Sequence, residues 1–88
     1  MFFKKALRSI KRAAFGRIVR QIDTDIASIG RVKVSLRLKT EREGPYVVLA
    51  LIAPGNYQYC PMDIGELDAV IKAMSEIRAA AAELENST

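Results

Sequence analysis

Residues 31–41 read RVKVSLRLKTE, and Val32, Val34, Leu36 and Leu38 alternate strictly with Arg31, Lys33, Ser35, Arg37 and Lys39. An apolar period of two over this length specifies a β-strand with one face toward a core and four cations on the other. Downstream, residues 46–53 (YVVLALIA) are apolar on both faces, so they read as a central strand covered on both sides. Glu41–Arg42–Glu43–Gly44–Pro45 between the two is a turn. Pro54–Gly55–Asn56 suits a type II turn with Pro54 and Gly55 at its central positions. Tyr57–Cys60 then forms a short final strand that is expected to stop at Pro61.

A helix closes the chain. Asp63 is its N-cap, Glu66 completes a capping box, and Met62 and Leu67 flank the cap as a hydrophobic staple. Leu67, Val70, Ile71, Met74, Ile77, Ala81 and Leu84 mark one apolar stripe, predicting a helix from about residue 64 to 84. Upstream of the basic strand the pattern is weaker. Residues 17–23 read as a short strand with Ile18, Arg20 and Ile22 on one side, followed by a turn at Asp23–Thr24–Asp25. A helix continuing past Gly16 is the rival reading. Residues 2–15 form an amphipathic helix in which Lys4, Lys5, Arg8, Lys11 and Arg12 oppose Phe2, Phe3, Leu7 and Ile10.

The expected architecture is a single α+β domain over 1–88. It comprises a basic N-terminal helix (1–15), an antiparallel meander of three to four strands (17–62) and a C-terminal helix (63–85) packed on one sheet face. A chain of 88 residues buries a modest core. Its charge is uneven. Residues 1–42 hold twelve Lys and Arg against three acidic residues, a net +9, whereas 43–88 hold two against seven, a net −5. Such asymmetry suits a polyanion, an anionic membrane surface or an acidic protein face as partner. The single cysteine, Cys60, forms no intrachain disulfide and reads as a small buried hydrophobe in a reducing compartment. The longest apolar run, 47–53, is too short to span a bilayer, and no secretory signal is apparent, so a cytoplasmic location is expected.

Catalysis is not expected. The chain has no histidine to serve as a base near neutral pH, and Ser9, Ser28, Ser35 and Ser75 have no visible base partner. The Asp23 and Asp25 pair lacks the further oxygen ligands of a metal site, and no glycine-rich loop cradles phosphate. No cofactor is implied. The cation row is more informative, because residues two apart on a strand lie about 6.6 Å apart, near the phosphate spacing of an extended single strand. Arg31, Lys33, Arg37 and Lys39 are therefore candidate backbone contacts, with Tyr57 and Tyr59 as stacking platforms. For residues 4–12 the first reading is structural, the apolar arc packing on the sheet with the five cations left in water; a contact surface for nucleic acid or membrane is the alternative.

The order of four strands and a capped helix, above all YQYCPMDIGEL over 57–67, resembles the positive-cofactor transcriptional coactivators and the related Pur-alpha and whirly proteins. The resemblance covers roughly residues 17–84. It implies a ββββα module that dimerises and binds single-stranded DNA or RNA on a curved sheet. By that resemblance the contacts would fall at Arg31, Lys33, Arg37, Lys39, Tyr57 and Tyr59. The leading expectation is thus non-catalytic binding of single-stranded nucleic acid by a homodimer. A small protein-interaction or scaffold module, or peripheral membrane attachment through the N-terminal helix, are the alternatives.

Overall fold

The computed structural model describes residues 16–26 and 30–87, so the expected basic helix of residues 1–15, with Lys4, Lys5, Arg8, Lys11 and Arg12, lies outside the described residues. Among the described residues four strands, β1 (Arg17–Ile26), β2 (Val32–Glu41), β3 (Gly44–Ala53) and β4 (Asn56–Met62), precede one helix, α1 (Ile64–Ser87). Each strand pairs antiparallel with its sequence neighbour, giving one sheet in the order β1-β2-β3-β4. The α+β meander with a C-terminal helix is therefore as expected. Among the described residues no helix is long and apolar enough to cross a membrane.

The turns follow from residue chemistry. Glu41 pairs with Gly44 and Ala53 with Asn56, so each hairpin closes over two residues. At the second, Gly55 has φ 73°, the positive value that the third residue of a type II turn requires. Gly16 also has positive φ (93°), and a Cβ there would collide with the Tyr46 hydroxyl. The chain enters the sheet at a point only glycine fits without displacing that ring.

Three expectations about the strands need correction. Asp23–Thr24–Asp25 is not a turn: β1 runs through it, with Asp23, Thr24 and Asp25 paired to Ser35, Val34 and Lys33. Neighbouring cations and a serine hydroxyl on β2 give the Asp23 carboxylate partners that a sequence window over β1 does not contain. A bulge between Ile18 and Arg20 then reverses the phase, so Ile18 pairs with Lys39 while Arg20 and Ile22 pair with Leu38 and Leu36. Finally, β4 continues through Pro61, which pairs with Val48. An edge strand tolerates a residue that cannot donate a ladder hydrogen bond on its open side.

The core lies on both faces of β3, where Tyr46, Val47, Val48 and Ala50 are buried together with Met62. The central, doubly covered strand was the expected one. At the start of α1, the backbone N–H of Asp63 donates to Glu66 Oε1 (2.9 Å) and Leu67 N–H donates to the Asp63 carbonyl (2.9 Å). The capping arm from Glu66 is in place, and Met62 and Leu67 share one apolar groove beneath the helix. The helix ends at Ser87 rather than near 84, and the Ser87 hydroxyl donates to the Leu84 carbonyl there. Little of α1 is covered: it packs on β3 and β4, and none of its residues is buried. Cys60 is exposed rather than buried, because it sits on the edge strand.

Candidate functional site

The pairing register lays the cationic face out as four cross-strand rows. Asp25–Lys33–Ile52–Tyr57 is the first, and Asp23–Ser35–Ala50–Tyr59 the second. Gln21–Arg37–Val48–Pro61 is the third, and Ile18–Lys39–Tyr46 the fourth. The first row is the most exposed, and on β2 and β3 the fourth is closed, although Ile18 on β1 keeps 47% of its surface. Lys33 and Asp25 in the first row are exposed, and Tyr57 keeps 61% of its surface. In the second row Tyr59 keeps 45% while Ser35 is buried, and in the fourth Lys39 is 4% exposed beside fully buried Tyr46. The face is open at one end and closed at the other.

This gradient sorts the expected contacts. Arg31, just before β2, joins Asp25, Lys33, Ile52, Pro54 and Tyr57 around an open cleft of about 680 Å³ at the exposed end. Arg37 is half-buried; its Nε donates to Ser35 Oγ (3.3 Å) and its guanidinium lies 5.8 Å from the centre of the Tyr59 ring. That distance is a cation–π contact, which orients both side chains. Lys39 does not belong to the exposed set. Burial, and secondarily the nearby Arg37, pushes its ammonium pKa below the ordinary 10.5. A lysine whose charged form is disfavoured in the fold is a poor phosphate ligand.

Lys39 makes a testable contribution to pH dependence. Between its lowered folded pKa and 10.5, the folded chain releases the proton while the unfolded chain retains it. Stability therefore rises with pH in that window. In chemical denaturation from neutral to alkaline pH, Lys39→Met is expected to lack this rise while the wild-type chain shows it. Identical alkaline profiles would contradict the burial of a charged amine here.

Sequence reading missed the acidic part of the site. Gln21 Nε2 donates to both carboxylate oxygens of Asp23 (3.1 and 3.2 Å). The Ser35 hydroxyl also bonds Asp23 and is the chief cause holding that carboxyl below its usual range; the Gln21 bond, Lys33 and Arg37 add to it, against a smaller opposing effect of desolvation. The cation row, which has no carboxylate in its own strand, thus gains Asp23 and Asp25 from the neighbouring one. The available signal was the period of two, since Gln21, Asp23 and Asp25 alternate with Ile22, Thr24 and Ile26.

With the site in view, comparison with known proteins gives a short answer. The chain matches no family model, no curated protein and no solved structure. The open end of the cationic face is the candidate site. Its chemistry is aromatic and cationic, with two carboxylates at the β1 margin. Among the described residues no group of three or more His, Cys, Asp or Glu converges as a metal site.

Proposed function

We propose that the chain binds single-stranded nucleic acid, without catalysis, at the open end of the cationic face. The observation supporting this reading is the pair of exposed tyrosines, Tyr57 and Tyr59, on one face of an edge strand beside Arg31, Lys33 and Arg37. Two tyrosines whose strand positions lie about 6.6 Å apart offer successive unstacked bases separate platforms. Exposed large aromatics without apolar cover favour a partner with π-faces, and the adjacent guanidinium and ammonium groups suit its phosphates. Duplex is disfavoured because its bases are already stacked on one another. Lys39 is left out of this interface. A cytoplasmic location belongs to the same proposal, since the exposed Cys60 thiol suits a reducing compartment.

Fluorescence anisotropy with labelled oligonucleotides tests the proposal. The wild-type chain is expected to bind single strands with an affinity that falls steeply with salt, and to bind duplex more weakly. Tyr57→Ala combined with Tyr59→Ala removes two stacking platforms of about 1–3 kcal/mol each, so affinity should fall by roughly 30-fold or more. Both rings are exposed, so circular dichroism should stay unchanged. Absence of single-strand binding at low salt, or full affinity in the double variant, would sink the proposal.

A further inference from the structure

Five side chains on the cationic side of the sheet are shut off from water. Ser35, Tyr46, Val48 and Ala50 are 0% exposed and Lys39 is 4% exposed, and the register puts all five on that side. α1 is not their cover. It lies on the other side, where Val70 and Met74 share an apolar groove with Val47, Leu49 and Met62. Among the described residues no other helix or strand is left to stand over the cationic side. Arg37 and Tyr59 flank Val48 and Ala50, but small side chains in the middle of a sheet face lose all exposure only beneath a second layer.

Gly16 marks where that layer enters. It lies against the Tyr46 hydroxyl, and Arg17 beside it pairs with Thr40 at the closed end. Residues 1–15 therefore join the sheet at the rim of the covered patch. The β1–β2 connection at 27–29 instead leaves from Ile26, at the open end. Length suits the N-terminal segment, since a helix over 2–15 would span about 21 Å against about 14 Å across four strands. Its chemistry suits the patch as well. Phe2, Phe3, Leu7 and Ile10 share one apolar arc. The segment carries five cations and no carboxylate, while Glu41 and Glu43 stand on the hairpin that borders the closed end.

We infer that residues 1–15 dock on their own sheet, seating the arc of Phe2, Phe3, Leu7 and Ile10 over Tyr46, Val48 and Ala50. The docked segment sets the boundary between the closed and open ends of the cationic face. Its edge falls at the second row, where Ser35 and Ala50 are buried and Tyr59 keeps 45% of its surface. Lys33 and Tyr57 in the first row stay in water. The docking stands whether or not that open end binds nucleic acid.

Nuclear Overhauser effects on the isotope-labelled full chain decide it. The methyl groups of Leu7 or Ile10 are expected to contact the Val48 methyls and the Tyr46 ring. Contacts from the same methyls to Leu36 or Met74 would put the segment in the groove on the other side and overturn the inference. Contacts seen only between different molecules in a mixture of labelled and unlabelled chain would do the same, as would no contact with the sheet. Lys39 gives a second readout. In Leu7→Asp with Ile10→Asp its amine should react with an acylating reagent about tenfold faster or more, because the covering layer opens. Exposed Lys33 should react at an unchanged rate. An unchanged Lys39 rate would overturn the docking. Should the double variant fail to fold, the contacts in the wild-type chain decide alone.

Discussion

Tyr46→Ala is expected to cost about 3–5 kcal/mol, the range seen when a buried aromatic side chain is truncated and its cavity is only partly refilled. Tyr46 is fully buried on the central strand, opposite Lys39 across the β2–β3 ladder, with Gly16 against its hydroxyl. Removing the ring strips the closed end of the cationic face of its largest side chain and leaves the lysine beside a void. In a domain whose total stability is of the order of 5–10 kcal/mol, that is about a third of the margin or more. Urea denaturation followed by circular dichroism should show a much lower midpoint, with Tyr46→Phe losing only about 1 kcal/mol. Equal stability of the alanine variant and the wild type would mean that this end is not closed in solution.

The second large effect concerns binding. Arg31→Glu with Lys33→Glu should reduce affinity for a single-stranded oligonucleotide about 100-fold or more and flatten the salt dependence by about 1.4 in log–log slope, the loss of two phosphate contacts. Both residues are exposed, so the fold should survive reversal. Asp25, paired directly with Lys33, supplies an internal control of opposite sign. Asp25→Asn removes an anion that competes with phosphate, and binding should tighten several-fold. A pair of variants moving in the same direction would place the nucleic acid elsewhere. Reversing Lys39 would be the wrong experiment, because a carboxylate in that buried position disrupts the sheet whatever its role in binding.

The strands with one-sided or two-sided apolar patterns were legible because burial imposes period two or none at all. That is why β2, β3 and the capped start of α1 fall where their residues predict. The misreadings share one cause. Asp23, Thr24 and Asp25 look like a turn when only their neighbours in sequence are considered, yet cross-strand Ser35 and Lys33 make them strand residues. Lys39 belongs by alternation to an exposed row, and only the placement of the fourth row beside Tyr46 buries it. The bulge at Val19 has no apolar signature, so the change of phase in β1 was invisible. Cys60 looked like core because its strand was known but not its position at the sheet edge. In each case the deciding partner is distant in sequence.

The strictly sequential strand order has a kinetic consequence. Among the described residues no strand waits for a distant segment to arrive, since each ladder closes between chain neighbours and two of the three hairpins close over two residues. Loop-closure entropy is therefore small at each step, and topologies built from such local pairings reach their transition states quickly. The β2–β3 hairpin, with nine paired positions and the buried side chains of β3, is the natural nucleus. On that ordering β4 and β1 add to its two sides, and α1 settles last onto β3 and β4. Substitutions in β2 and β3 should then slow folding, whereas substitutions in α1 should chiefly hasten unfolding.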